Sequence, residues 1–252
     1  MKNLAILQAR CSSTRLPGKV LKDLEGRPMI DQQISRVLQS KRLGQLIVAT
    51  STDPSDNILA QHLLDQGAKV FRGSLDDVLD RYYQAGSLHR GETIIRLTGD
   101  CPLFDPGLLD ELIDYFEQGN FDYASNSLQA TYPDGLDAEI FKFSALERAW
   151  KNARIPSDRE HVTPYIHKLR EPFLIGFKKN SVDYSDHRWT VDNTQDFEMV
   201  KAVYSKLYSE NPFFNWRDIL NLLEKHPEIR EINQGIQRNE GYESSIKKDG
   251  AL

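Results

Sequence analysis

Over the first 120 residues, continuous apolar runs alternate with amphipathic stretches, and this alternation restricts the fold more than any other feature. The runs LAILQA (4–9), QLIVAT (45–50), AKVFR (68–72) and TIIRLT (93–98) read as strands. In them apolar residues occupy successive rather than only alternate positions, as in strands buried on both faces of a parallel sheet. Segments 27–43, 55–67, 76–89 and 106–119 between and after them read as helices. In the last of these, Leu109, Leu112, Ile113 and Phe116 fall at i, i+3, i+4 and i+7, on one face. Pro28 suits the first turn of its helix, and Gly67 and Gly119 close theirs. The spacing predicts an α/β fold: a mostly parallel, doubly wound sheet with helices on both faces. Ligands of such sheets bind beyond the carboxyl ends of the strands. The loops to inspect are therefore RCSSTRLPGK, STDPSD and GDCPLFDP.

The second half is less regular. Segments 121–126, 136–143 and 187–192 read as strands, and 144–153, 158–170, 194–208 and 215–225 as helices. Phe197, Val200, Tyr204 and Leu207 form one stripe. With no repeat or linker in view, one domain over 1–233 is expected, followed by a polar, loosely ordered tail over 234–252.

Charge is unevenly distributed. Residues 1–42 hold nine Lys/Arg and three Asp/Glu, a net of +6, in a chain whose formal net charge is −5. An acidic chain argues against general affinity for nucleic acid or anionic membrane, while a basic N-terminal stretch suggests a local anion site. Two cysteines, Cys11 and Cys101, make neither a metal-ligand spacing nor a disulfide framework, so a reducing cytoplasm is the expectation. The apolar run from Leu4 to Ala9, interrupted by Gln8, is too short for a signal segment. No stretch approaches the ~20 apolar residues of a spanning helix.

Three places can carry chemistry. The first is QARCSSTRLPGKVL (8–21), where Arg10, Arg15 and Lys19 lie within ten residues, directly after a strand. It has neither the Walker spacing nor the dinucleotide glycine pattern. Its side chains and backbone N–H groups can still bind phosphates; a solvated surface loop is the alternative. The second is RLTGDCPLFDP, where Asp100 follows Gly99 at a strand end. A carboxylate there suits Mg²⁺, which takes few protein carboxylates plus phosphate oxygens; the alternative is a turn or a helix cap. Asp105, before Pro106, is the better cap. The third is HRWTVDNTQDFE, where Asp192 precedes a helix that Asn193 or Thr194 could cap instead. Asp100 and Asp192 could share one metal if their strands were neighbours, which the sequence does not show.

Together, ILQARCSSTRLPGKVL, RLTGDCPLFDP and WTVDNTQDFE resemble the CTP-dependent sugar-acid cytidylyltransferases, the CMP-Kdo and CMP-sialate synthetases. RGSLDDVLDRYY, YPDGLDAEIF and REHVTPYI are similar to the spore-coat polysaccharide branch, SpsF, and the likeness covers residues 3–200. The resemblance implies that Arg10, Arg15 and Lys19 hold the triphosphate. Ala9, Ser13 and Thr98 would cradle the nucleotide, with Ser74 and Arg81 bordering it. Asp100 and Asp192 would hold Mg²⁺. Asn126, Asp134, Asp137, Glu139, Arg159 and His161 would face an acidic small-molecule acceptor. Of these last, His161 could equally be a satisfied helix histidine, Arg159 a surface pair with Glu160, and Asp134-Gly135 only a turn. Cys11 and Cys101, in the two presumed site loops, would fill small spaces rather than act as nucleophiles.

The implied reaction is attack of an acceptor oxygen on the α-phosphorus of CTP with loss of pyrophosphate, and a homodimer is implied by likeness. Acceptor segments differ from those of the CMP-Kdo enzymes, so acceptor identity does not transfer. CMP transfer to a phosphonate or a phosphorylated small molecule is the alternative within the class. A non-catalytic nucleotide-binding protein is the alternative outside it. A glycosyltransferase using a nucleotide sugar would want a D-x-D at the strand end, where this chain has DPSD and GDCP.

Overall fold

The computed structural model describes residues 3–168 and 173–250. The strands are β1 (Asn3–Gln8), β2 (Asp23–Leu24), β3 (Arg27–Pro28), β4 (Gln45–Ser51), β5 (Val70–Gly73), β6 (Thr93–Thr98), β7 (Tyr123–Ser125), β8 (Glu139–Lys142) and β9 (Ile175–Phe177). The helices of the N-terminal half are α1 (Met29–Val37), α2 (Asn57–Asp65), α3 (Val78–Leu88) and α4 (Pro106–Gly119). Then follow α5 (Phe143–Asn152), α6 (Pro156–His161), α7 (Pro164–Lys168), α8 (Thr194–Leu207), α9 (Trp216–Lys225), α10 (Pro227–Glu231) and α11 (Glu240–Asp249).

Among the described residues the main sheet has seven strands in the order β5-β4-β1-β6-β8-β7-β9. β5, β4, β1 and β6 are mutually parallel, and β8 runs antiparallel to β6 and β7. β7 and β9 are parallel. The fold is thus the expected helix-flanked, mostly parallel α/β sheet. Successive residues of β1 enter opposite cores: Leu4 and Ile6 pack with α3 and α5, Ala5 and Leu7 with α1, α4 and α8. That is why β1 carries apolar residues at successive positions from Leu4 to Leu7.

From β1 the chain proceeds outward to β4 and β5, then returns to β6 on the other side of β1. The switch of direction lies between β1 and β6, where Gln8 pairs with Thr98. Gly99 donates its N–H to Gln8 O at 2.7 Å, and a Cβ on Gly99 would stand 2.9 Å from the Ala9 Cβ. The two chains part only after this contact, so a crevice opens directly above it.

Several expectations need correction. Arg27–Pro28 pairs with Asp23–Leu24 across a turn whose Glu25 and Gly26 both have positive φ, so Pro28 precedes α1 instead of opening it. α1 ends at Val37, and residues 40–43 turn onto the Asp110 carboxylate. The expected helix over 158–170 is two short helices broken at Val162 (φ 72°), and Leu169 and Arg170 lie outside the described residues. Segment 187–192 is extended but joins no ladder beyond a single bridge between Asp134 and Arg188. Its N–H groups are spent on loop carbonyls, Trp189 on Asp134 at 2.6 Å and Val191 on Asp100 at 2.8 Å. β9 was not expected; its Gly176 argues against a strand in sequence, yet lies where the Phe121 ring crowds the backbone. The polar end of the chain carries a helix, α11, that packs on α6.

Gly135 shows how tightly segment 187–192 is held. It sits at φ 107°, and a Cβ there would lie 2.6 Å from both Trp189 C and Thr190 N. Gly135→Ala should therefore cost on the order of 2–4 kcal/mol, from backbone strain plus overpacking. A urea denaturation midpoint equal to wild type would show that the loop shifts freely.

Candidate active site

The opening loop is pinned at both ends. Cys11 donates its N–H to Asp56 Oδ1 at 2.7 Å, and Asp56 Oδ2 accepts from the Ser51 N–H and hydroxyl. Gly18, at φ 67°, returns its N–H to Cys11 O at 2.9 Å. Ser13 Oγ accepts the Leu16 N–H at 3.3 Å and shapes the bend between. The loop thereby folds back over the end of β1 and delivers Lys19 to the far wall of the crevice.

There Lys19 Nζ, with its side chain only 11% exposed, donates to Val191 O at 2.6 Å and Asp192 Oδ1 at 3.0 Å. It also lies 3.6 Å from Asp100 Oδ2. Arg15 Nη2 is 3.0 Å from Asp192 Oδ2. The Asp100 carbonyl takes both the Val191 N–H and the Thr190 hydroxyl, so the loops bearing the two aspartates are bound together. Asp100 and Asp192 are thus neighbours. Neither is a helix cap: Asp105 caps α4 through Leu108 N, and Asn193 caps α8 in a reciprocal pair with Asp196.

A network that the sequence did not reveal supports this cluster. Arg188 donates Nε and Nη2 to the fully buried Asp196, Nη2 to Asp192 at 3.1 Å and Nη1 to Asp134 at 3.0 Å. Asp196 also accepts from the backbone N–H groups of Asp192 and Asn193 and from Asn233. Arg238 pairs with Asp137 and lies 3.8 Å from Asp134. On the other wall, buried Gln33 donates to Thr98 O at 2.8 Å. Asn193 is one of the two caps expected for α8, but its partner Asp196 is not among the expected residues, and Asp56, Arg188 and Arg238 carry no comparable signal in the sequence.

Charge balance sets the proton affinities. Burial opposes ionisation of Asp192, but Lys19, Arg15 and Arg188 outweigh it and hold the carboxyl below the usual range. Burial and Asp137 push Asp134 up to about 7 against the pull of Arg238 and Arg188. Burial raises both thiols, with Asp56 adding to the effect at Cys11 and Asp100 at Cys101. Neither cysteine is an activated nucleophile, and Cys101 is buried beside Thr98 as a space-filling side chain.

The remaining expected residues divide. Arg10 is exposed and forms no hydrogen bond or ion pair among the described residues; Arg81 is close enough to feel its charge. Buried Arg81 donates to the Ser74 carbonyl, and the Ser74 hydroxyl accepts the Asp77 N–H, so both shape the entry to α3. Ser12 Oγ and Arg81 Nε are buried without partners, leaving unspent polar groups on this side of the crevice. Ala9 is buried and tied to Ala49 O.

Asn126, Glu139, Arg159 and His161 are not drawn into the cluster. Asn126 clamps the chain over 136–138, donating to Leu136 O and accepting from Ala138 N, each at 2.8 Å. Glu139 is occupied by Arg96, Tyr123 and Thr163, which hold its carboxyl below the usual range despite burial. Arg159 bridges α6 to Asp77 at the start of α3, and also donates to Trp150 O and Ala153 O. At Val162 a tight turn, Thr163 N to His161 O at 2.8 Å, sends Thr163 to Glu139 and His161 to α11, where it meets Ser245 Oγ at 3.1 Å. These four side chains are bound internally because the polar groups of a half-buried wall must pair with one another.

The cytidylyltransferase family model matches residues 4–185. The chain belongs to the cytidylyltransferase family. Spore coat polysaccharide biosynthesis protein SpsF of Bacillus subtilis is 36% identical over 237 residues, 89% of this chain and 95% of that protein. A cytidylyltransferase structure from Leptospira borgpetersenii superposes with a TM-score of 0.87 at 34% identity, covering 94% of this chain and all of that one. The structure of a CMP:2-keto-3-deoxy-manno-octonic acid synthetase complexed with CTP shares the fold, with a TM-score of 0.63 at 20% identity over 82% of this chain and 99% of that one. This cytidylyltransferase is a CTP-dependent nucleotidyltransferase, an enzyme that transfers CMP from CTP. Among the described residues no helix is long and apolar enough to cross a membrane.

Two stability tests follow. Asp196→Ala leaves Arg188 buried and short of its main partner, and should cost ~3–5 kcal/mol in chemical denaturation. Asp134 binds its proton more tightly folded than unfolded, where its pKa is about 3.9, so its contribution favours folding at low pH and is lost as pH rises from about 4 to 7. The stability of wild type relative to Asp134→Asn should fall over that window; a difference independent of pH would contradict the assignment.

Proposed function

We propose that this cytidylyltransferase transfers CMP to an acidic sugar of the nonulosonate or Kdo type, for surface polysaccharide synthesis, and that the crevice between β1 and β6 is its active site. One observation carries the proposal: the basic opening loop, Asp100 after β6 and Asp192 before α8 meet at the switch point of the sheet. The names of the SpsF and CMP-Kdo relatives supply the acceptor class.

In this reading Arg10 and Arg15, the two cations open to solvent, bind the triphosphate and offset the charge that develops on departing pyrophosphate. Lys19, at the junction, balances the two carboxylates. Backbone around Ala9 and Thr98 receives the nucleoside. An acceptor oxygen attacks the α-phosphorus in line from the side of Asp134 and Asp137. Catalysis is chiefly alignment and charge neutralisation.

Among the described residues no group of three or more metal-ligating side chains is present. Asp100 Oδ2 and Asp192 Oδ1 nevertheless converge on one cationic centre, the Lys19 ammonium. Two carboxylates with substrate phosphates fit Mg²⁺, which keeps few protein ligands. Bound there, it would supply Lewis-acid activation of the phosphate.

Asp100→Asn and Asp192→Asn should each lower CTP turnover by ~10²–10³ at saturating Mg²⁺. The direct test is pyrophosphate release from four nucleoside triphosphates against a panel of acidic sugars and phosphonates. Release with CTP and a keto-acid sugar supports the reading, and release only with phosphonates or phosphorylated acceptors replaces it.

A further inference from the structure

The chain after α10 crosses the whole mouth of the site. Arg238 reaches Asp137 and Asp134 on the acceptor side and donates to Tyr132 O. Gln237 O accepts from Arg188. Glu240 Oε2 lies 2.9 Å from Arg15 Nη1, on the opening loop. Ser245 bonds both His161 and Glu160, and the Tyr242 ring packs edge-on against His161. Asp249 accepts the Ser157 N–H at the start of α6. One segment thus touches the triphosphate loop, the acceptor wall and the helix behind it.

Its attachment differs in kind from that of its neighbours. α8 buries Phe197, Met199, Val200, Val203 and Tyr204, whereas the only buried residue of α11 is Ser245. Ion pairs and hydrogen bonds to partly exposed groups hold it, and such contacts contribute little each and open readily. Gly235 (φ 86°) and Asn239 (φ 63°) bracket Arg238, and a Cβ at Gly235 would meet nothing within 4 Å.

Arg15 is the point of conflict. Its two terminal nitrogens are taken by Asp192 and Glu240, and its side chain is 40% exposed. A triphosphate bound by Arg15 must replace at least one of these carboxylates, and Glu240, 46% exposed on the weakly held helix, is the easier to displace. We propose that residues 235–250 form a lid over the nucleotide site, and that Glu240 is a positioning residue that competes with the CTP triphosphate for Arg15. This rests on the reading of Arg15 as a triphosphate ligand. Binding of CTP then releases α11 from the opening loop, and departure of pyrophosphate lets it return.

The test uses the full chain with CTP and Mg²⁺, and needs no acceptor. By titration calorimetry, Glu240→Gln should tighten CTP binding about 3- to 10-fold. Glu243→Gln, which removes the same charge one turn along, should leave it unchanged. In an Arg15→Gln background the Glu240→Gln gain should vanish, which separates competition for Arg15 from general charge repulsion. Hydrogen exchange of α11 amides should accelerate when CTP is added to wild type. Equal affinity in wild type and Glu240→Gln, or equal gains from Glu240→Gln and Glu243→Gln, would overturn the lid while leaving the CTP site intact. Absence of CTP binding in every protein would bring down the site assignment itself.

Discussion

Arg188 holds together the end of the molecule proposed as the active site. Its guanidinium joins carboxylates from the loop before β8, from the segment before α8 and from the first turn of α8. Buried ion pairs add little net stability relative to apolar packing, because desolvation offsets much of the attraction. What this one supplies is position. Segment 187–192 forms no ladder among the described residues, so its path is set by its contacts with Asp134 and Asp100, by Lys19 on the Val191 carbonyl, by the Asp192 N–H donated to Asp196, and by this side chain. It holds Asp192 beside Asp100 together with Lys19 and the Thr190 and Val191 contacts to the Asp100 carbonyl.

The site is therefore a set of opposite charges that largely balance one another. Lys19, Arg15, Arg188 and Arg238 face Asp100, Asp134, Asp137, Asp192 and Asp196 within a few side-chain lengths. Such a set can take up a polyanion and a cation together, each satisfying the groups the other displaces. A site built of cations alone would bind triphosphate more simply, but would have nothing to present to a metal.

The nucleotide half was legible in the sequence because its signals are local. Apolar runs, a basic loop after a strand, Gly99 and a strand-end Asp100 follow one another along the chain, and strands 93–98 and 106–119 as a helix were placed to the residue. The acceptor half was not, since its order depends on contacts between distant segments. Asn126 resembles a ligand residue in sequence, yet spends both ends of its amide on the loop twelve residues on or fewer. Arg159 and His161 sit in a suggestive motif but turn toward Asp77 and Ser245. Arg238 lay in what read as a featureless polar tail, because a helix held by ion pairs leaves no apolar stripe to recognise.

The reversal of β8 has a further consequence. β1 and β6 bring their last residues to the mouth of the site, whereas β8 brings its first. The loop that enters β8, with Asp134 and Asp137, therefore shares a rim with the loops that leave the parallel strands. In the proposed reading, the nucleotide and acceptor sides lie on separate stretches of chain, one on outgoing connections and one on an incoming connection. In that reading, replacing residues 127–138 would alter the proposed acceptor side while the β1 and β6 exits stay as they are. One reversed strand thus lets the two proposed sides of the site vary independently of each other.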